Sequence, residues 1–138
     1  MMSQFENICQ EFAKILNGKS KISQGVCSVD LHRQFHVTVQ GKRSKSVGPA
    51  GFAFESLDQH GNALNFGEIA ILQEEVPAFV QTLVQQGIMI SALHNHWIFM
   101  EPSLLYLHIQ SVEPPLNFAK KVAYSFRFLQ SYPVSTEK

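Results

Sequence analysis

The chain has 138 residues, of which 45% are apolar and 16% are charged, so it is too hydrophobic to be disordered and long enough to bury a core. Eleven basic and eleven acidic residues give a formal net charge of zero. That balance disfavours a nucleic-acid-binding protein, which usually carries a basic excess. We expect a single domain over residues 1–138 with no nucleic-acid partner.

The start of the chain lacks a charged segment followed by an apolar one, and no run reaches the 18 apolar residues of a membrane span. Its two cysteines, Cys9 and Cys27, fall in a predicted helix and a predicted strand, and they form no CxxC pair. We expect both to be buried thiols rather than a disulfide or metal ligands. These features predict a soluble cytoplasmic protein that contacts no membrane.

Residues 3–17 predict the first helix, because apolar residues recur there at helical spacing. Ser3 and Glu6 match a capping box, and Asn17 with Gly18 marks the end. Alternating apolar residues then predict strands over 26–31, 34–40 and 52–57. A basic, glycine-bearing loop is predicted over 41–49, and a turn over 58–62.

The second half begins with a long extended run, residues 63–72, followed by a helix that opens near Glu74 and ends at Gly87. Residues 88–97 and 103–111 predict two strands joined by a turn, and a last helix follows the prolines near residue 115. The tail, residues 131–138, is expected to be loose. The predicted order is α-β-β-β-β-α-β-β-α, an α+β fold with helices packed on a mainly antiparallel sheet, including one strand-helix-strand crossover.

Three of the six histidines, His94, His96 and His108, fall on the predicted hairpin. Alternate residues of a strand share a face, so His94 and His96 point the same way. A turn near residues 100–103 would bring His108 opposite His96, and on the same face if even-numbered residues pair. Three imidazoles with an open position are typical of catalytic zinc sites, so we predict that they bind zinc or a similar divalent metal.

A carboxylate is expected beside these histidines as a ligand, an orienting partner or a general base. Glu75 is the favoured catalytic candidate, because a crossover helix begins at the end of its strand where the histidines are expected. Glu68 lies earlier on that strand and is expected to be further away. Glu101, in the predicted turn, is the third candidate.

Two other interpretations stay open. Histidines of an HxH pair are often structural, and here they could be buried and hydrogen-bonded to one another. Alternatively, they could line the pocket of a non-catalytic small-molecule-binding or dimeric interaction module. If the metal is catalytic, the simplest reaction is attack of metal-activated water on a small polar substrate.

The string Ala92-Leu93-His94-Asn95-His96, followed by Glu101-Pro102 and His108, resembles a bacterial domain of unknown function, the LppY/LpqO type. Further matching segments run over 37–41, 67–68, 74–76 and 119–121, so the resemblance covers residues 24–130 approximately. Glu68 stands where the family pattern favours aspartate, and the loop over 41–51 is more basic than that pattern.

The resemblance implies a fold and a polar site, but no established activity. Members named as lipoproteins carry export signals and often look like two tandem copies, whereas this chain shows one copy. The resemblance therefore suggests that two chains pair as a homodimer.

Overall fold

The computed structural model describes residues 1–136. The helices in this range are α1 (Gln4–Leu16), α2 (Val76–Gln85) and α3 (Pro115–Ser125). The strands are β1 (Lys21–Ser23), β2 (Val26–His32), β3 (Val37–Val39), β4 (Lys42–Ser44), β5 (Pro49–Glu55), β6 (Ala63–Leu72), β7 (Met89–Asn95), β8 (Met100–Glu101), β9 (Leu104–Glu113) and β10 (Val134–Ser135). Single 3₁₀ turns precede α2 and follow α3.

Most strands belong to one large sheet with the order β1-β2-β5-β6-β9-β7, and β10 pairs with β2 beside β1. Every neighbouring pair in this sheet is antiparallel. The predicted α+β class with a mainly antiparallel sheet is confirmed. The tail was wrongly expected to be loose throughout, because Val134–Ser135 form β10; residues 137–138 lie outside the described range.

The predicted crossover connects β6 through α2 to β7. Both strands run antiparallel to β9, so they are parallel to each other, and β9 lies between them. Gly87 ends the connection with a positive φ of 83°, a conformation that glycine adopts without steric cost. The placement of β9 between β6 and β7 decides which side chains meet at the candidate site.

One face of the large sheet is covered by the three helices. The predicted capping box of α1 is confirmed, with Ser3 Oγ accepting from the Glu6 amide and Glu6 accepting from the Ser3 amide. Asn17, rather than Gly18, takes the left-handed conformation at the end of α1. Inward-facing residues of α1 and β2 share a core with the other helices: Cys9, Phe12, Ala13, Leu16, Cys27, Val29 and Leu31.

Cys9 of α1 and Cys27 of β2 form a disulfide, so the expectation of two free thiols was wrong. Both side chains are completely buried, as expected, and their Cα atoms lie 5.7 Å apart. The sequence did not reveal the bond because a separation of 18 residues carries no local pairing signal. The helix and the strand pack face to face, and this tertiary contact brings the two sulfur atoms together.

The other face of the large sheet is only partly covered. A small sheet with the order β4-β3-β8 lies over one end of it, and the two enclose a second, smaller core: Val37, Ala70, Leu72, Met100, Leu104 and Tyr106. The strand predicted over 34–40 is shorter than expected, Val37–Val39, and belongs to this small sheet. The predicted loop over 41–49 contains β4, and the predicted turn near residue 100 contains β8.

No helix among residues 1–136 is long and apolar enough to cross a membrane.

Candidate functional site

On the uncovered part of the large sheet, aligned residues form a row across five strands. The backbone register aligns Asp30 with Gly51, Gly51 with Glu68, Glu68 with His108, and His108 with Ala92. Strands alternate their side chains, so aligned residues project from the same face. The row therefore brings Glu68 and His108 side by side on adjacent strands.

His94 reaches His108 diagonally from β7. His94 aligns with Tyr106, one pleat away from His108, and the two Nε2 atoms lie 3.2 Å apart. The Nδ1 atom of His94 lies 3.0 Å from the carbonyl oxygen of Asn95. Because a carbonyl can only accept, this contact requires a proton on Nδ1, and in the neutral ring Nε2 then carries the lone pair. The neutral form of His94 thus presents an acceptor nitrogen towards His108.

Glu68 supplies the nearest carboxylate to this pair. Its Oε2 atom lies 3.7 Å from Nε2 of His108, and the two side chains are 41% and 35% exposed. Both side chains are therefore partly open to solvent. The carboxylate can approach the histidine pair by rotation about its own bonds.

His96 follows the last residue of β7, where the chain has left the sheet. Its ring stacks on Trp97, with the ring centroids 4.2 Å apart, and lies 5.8 Å from the ring of His94 at an interplanar angle of 84°. His108 aligns with Ala92 instead of His96, because the hairpin pairing is centred nearer residue 100 than the predicted turn. Even-numbered residues do pair, as expected. The structure therefore brings His94 and His108 together and leaves His96 beside them.

Across residues 1–136, no set of three or more histidine, cysteine, aspartate or glutamate side chains is arranged to hold a metal ion. The convergent part of the predicted site is a histidine pair, with a carboxylate next to one member.

Tyr106 forms the inner wall of the site. Its hydroxyl donates a hydrogen bond to the carbonyl oxygen of Val47, which ties β9 to the loop before β5. Burial raises the pKa of the Tyr106 hydroxyl, and the negative charge of Glu68 adds to this effect, while a hydrogen bond involving Trp97 opposes it. The phenol thus stays protonated around neutral pH and acts as a donor.

Glu75 lies elsewhere, in a buried ion pair with Arg33. Its Oε1 and Oε2 atoms accept from the two terminal guanidinium nitrogens at 3.0 and 2.8 Å, and from the amides of Leu72 and Gln130 at 2.8 and 2.7 Å. Burial disfavours its charged form, but these hydrogen bonds and the Arg33 charge outweigh that effect and lower its pKa. Its partners are Arg33 and two backbone amides, and the carboxylate beside the histidines is instead that of Glu68.

Because β9 lies between β6 and β7, Glu68 lies beside the histidine pair, where the sequence had predicted Glu75. Direct pairing of β6 with β7 would have kept Glu68 away from the hairpin, whereas β9 places it one strand from His108. The alternation of residues 63–72 already put Glu68 on the polar face, which was the available signal. Arg33 gave no such signal, because a single arginine in a short link does not reveal its distant partner.

A groove of about 750 Å³ runs from His108 across the open face of the sheet. It is lined by residues of β2, β5, β6 and β9, and by the segment before β5; among them are Asp30, Lys45, Gly51, Glu68 and His108. A cavity of this volume is in the range that binds small molecules. One member of the histidine pair, His108, therefore borders a cavity large enough for a ligand.

The family described as Domain of Unknown Function (DUF1259) matches residues 10–127 of the chain. No curated protein matches, and no solved structure matches. The narrower resemblance to the LppY/LpqO type stays a prediction.

Proposed function

We propose that this chain, which belongs to the family described as Domain of Unknown Function (DUF1259), binds a divalent metal ion between His94 and His108. The observation that supports the proposal is the 3.2 Å separation of their Nε2 atoms. Two nitrogens that each lie about 2.0–2.1 Å from a tetrahedral zinc ion are roughly 3.3 Å apart. The separation thus fits a shared ion without movement of either strand.

The orientation of His94 supports the same proposal. Histidines that bind metals usually donate their other ring N–H to a carbonyl or a carboxylate, which fixes the tautomer and aims the ligand nitrogen. The contact from Nδ1 of His94 to the carbonyl oxygen of Asn95 has this geometry. A plain hydrogen bond from His108 to His94 is the competing explanation of the short distance, and the metal titration below separates the two.

Glu68 is the proposed third ligand. Its carboxylate lies 3.7 Å from His108 Nε2 and needs a side-chain rotation to reach an ion between the histidines. Two histidines and one carboxylate form a ligand set that several divalent metals accept, and they leave further positions for water or substrate. His96 is an alternative third ligand, because its ring stacks on Trp97 and lies next to His94.

If the ion is catalytic, the proposed reaction is hydrolysis of a small polar substrate held in the groove. A bound water on an open-sided zinc ion has its pKa lowered to about 7, which supplies a nucleophile at neutral pH. In this scheme, Glu68 takes the place that the sequence assigned to Glu75, because Glu75 is buried against Arg33. Whether or not hydrolysis follows, metal binding is the property to test first.

The test is stoichiometric metal analysis and calorimetric titration with zinc, manganese and nickel. The wild-type protein is expected to bind about one ion per chain, and His108→Ala is expected to weaken binding by more than about 100-fold, because it removes one of the two convergent nitrogens. His60→Ala is the matched control, since His60 lies exposed in the turn between β5 and β6. Wild-type protein that takes up no ion, or a His108→Ala variant that binds as well as His60→Ala, would rule out the site.

The second candidate function is non-catalytic binding of a small molecule, and the groove is the observation that favours it. Under this alternative, the histidines are hydrogen-bonding groups in the wall of the groove. A rise in melting temperature with an organic ligand in the presence of chelator would favour it, whereas a rise with metal alone would favour the first proposal.

We also propose that the protein resides in an oxidising compartment. The Cys9–Cys27 disulfide favours an oxidising compartment over the cytoplasm that the composition suggested, because disulfides persist mainly outside reducing cytosol. Mass spectrometry of the protein isolated from its native host without reductant, with free thiols blocked at lysis, would test this.

A further inference from the structure

The floor of the groove is formed by two small residues of β5, Gly51 and Ala53. Gly51 lies between Asp30 on β2 and Glu68 on β6 in the register row. A Cβ atom added to Gly51 would meet only Asp30 Oδ1, at 3.4 Å, so the space above it is open. Strands are spaced about 4.8 Å apart, which separates the Cα atoms of Asp30 and Glu68 by roughly 10 Å. The row therefore has a gap at Gly51 with a carboxylate on each side, and the Asp30 carboxylate leans towards it.

The neighbouring row supplies an aromatic surface. Its register aligns Ser28 with Ala53, Ala53 with Phe66, and Phe66 with Gln110. Phe66 is 40% exposed and lines the groove, although it is one of the largest apolar side chains of the sheet. The negative face of an aromatic ring attracts weakly positive C–H groups. An exposed phenylalanine beside carboxylates and hydroxyls suits a ligand with one apolar face and a polar rim.

The charges of the groove disfavour a polyanion. Two carboxylates, Asp30 and Glu68, face one lysine, Lys45. The other polar side chains are two imidazoles, His32 and His108, and a set of neutral hydroxyls and one amide: Ser28, Ser46, Ser91, Gln110 and Thr136. Carboxylates are acceptors only, so they select ligands with donors, and the O–H groups of a polyol are such donors.

From these features we infer that the groove binds a neutral polyhydroxylated ligand, a monosaccharide or disaccharide. The ring lies over Gly51 and Ala53, with its apolar face on Phe66 and its hydroxyls donating to Asp30. The far end of the ligand reaches His108 and the proposed ion. The inference rests on the proposed metal site only at that end, because the gap, the aromatic surface and Asp30 are independent of the ion.

The test is binding of glucose, N-acetylglucosamine and cellobiose, followed by calorimetry and by ¹⁵N chemical shifts, in metal and again in EDTA. At least one of these sugars is expected to bind saturably and to shift the amides of β2, β5 and β6. Glucose 6-phosphate and inorganic phosphate serve as anionic comparators. Absence of binding by all three neutral sugars, or tighter binding of the anions, overturns the inference.

Two variants locate the site. Gly51→Val fills the gap with a residue that strands accept, and is expected to weaken sugar binding at least ten-fold. Phe66→Ala is expected to weaken it about as strongly, whereas Phe128→Ala is the matched control, since Phe128 is 42% exposed beyond α3. A Gly51→Val variant that binds sugar like the wild type overturns the inference.

The same samples separate this inference from the proposed function. Gly51→Val changes no proposed ligand, so its metal uptake should equal that of the wild type, and equal uptake also shows that it is folded. Sugar binding that persists in EDTA while metal titration fails would keep the groove and discard the ion. Metal uptake without sugar binding would do the reverse.

Discussion

The buried pair of Arg33 and Glu75 links distant parts of the chain at a single point. Both side chains are nearly inaccessible, at 0% and 2% exposure, and Arg33 also donates to the carbonyl oxygen of Ala70 at 2.9 Å. Through the amide of Gln130, Glu75 fixes the segment that follows α3. Removing one partner of such a pair leaves a buried charge without compensation, which is costly.

Glu75→Gln is therefore expected to lower the free energy of unfolding by about 3–5 kcal/mol. The amide keeps the shape of the side chain but leaves the Arg33 charge unpaired. Urea unfolding at pH 7 measures the change, and Glu74→Gln is the matched control, because the neighbouring Glu74 is exposed. Equal midpoints for the two variants would show that the pair contributes nothing.

The lowered pKa of Glu75 predicts a pH dependence of stability. Its native pKa lies below 4.5, the ordinary value, because hydrogen bonds from Arg33, Gln130 and Leu72 outweigh the effect of burial. A carboxyl with a depressed native pKa stabilises the fold fully above its unfolded pKa, and this contribution is lost as the pH falls through the native pKa. Unfolding curves between pH 3 and pH 7 should show the wild type converging on Glu75→Gln at the acid end. A constant difference between them would contradict the assignment.

At this scale, the sequence identified polar candidates but could not assign their partners. Alternation predicted His94, His96 and His108 on one face with His108 next to His96, whereas the structure brings His108 into contact with His94. Glu75 was chosen over Glu68 from an assumed neighbour relation between strands, which the intervening β9 removes. Pairings between residues far apart in the chain depend on sheet order, which local patterns do not encode.

Among the elements, β7 stands out as an uncharged edge strand. It terminates the large sheet and has seven residues without lysine, arginine, aspartate, glutamate or proline. The strand at the opposite edge, β1, has three residues and begins with Lys21. Natural edge strands are usually shortened or charged, because unpaired backbone groups recruit other strands. Exposed apolar side chains continue past β7 at Ile98 and Phe99.

A second copy of the chain is the expected partner of this edge, since two uncharged copies of β7 can pair antiparallel across a two-fold axis without like-charge repulsion. The wild type is expected to be a dimer in light scattering at micromolar concentration, and Leu93→Lys is expected to be monomeric. Tyr124→Lys adds the same charge on α3 and should leave the dimer intact. A wild type that remains monomeric at all concentrations would exclude homodimerisation.

The accuracy with which an element was predicted from the sequence rose with the length of that element. The helix over 3–17 and the strand over 63–72 were located almost to the residue, because each repeats its apolar period several times. The strands β4 and β8 have three and two residues, too few to show any period, and β3, predicted over 34–40, has only three residues. The small sheet that they form is stabilised by apolar side chains that pack against one end of the large sheet: Phe35, Val37, Val39 and Met100.

For the whole molecule, the disulfide fixes the N-terminal helix to the sheet. It closes a loop of 18 residues between α1 and β2 and lies within the main core. Such a link restricts the unfolded chain and typically stabilises a fold by about 2–4 kcal/mol.

Reduction is therefore expected to lower the free energy of unfolding by about 2–4 kcal/mol. Urea unfolding with and without dithiothreitol measures the difference. The double variant Cys9→Ala with Cys27→Ala is the control, because it should resemble the reduced wild type and should not respond to reductant. A wild type with identical curves in both conditions would contradict a structural disulfide.

The two faces of the large sheet are covered to different extents, and this difference explains the position of the site. Helices close one face of the large sheet, and the small sheet closes part of the other, up to Tyr106. The histidine pair and the groove occupy the part that neither covers. Composition and periodicity could predict the helical and sheet layers. Which part of the sheet face stays uncovered depends on where the short strands of the small sheet pack.

The position of β9 between β6 and β7 has a consequence for biosynthesis. Residues 104–113 leave the ribosome after both strands that flank them, so a nascent chain holds Glu68 and His94 on strands with nothing yet between them. Insertion of this segment joins the edge strand β7 to the rest of the sheet and delivers His108 in the same event. A protein truncated before Leu104 would therefore lose the fold and the site together, and acquisition of ligand would report that synthesis had passed this point.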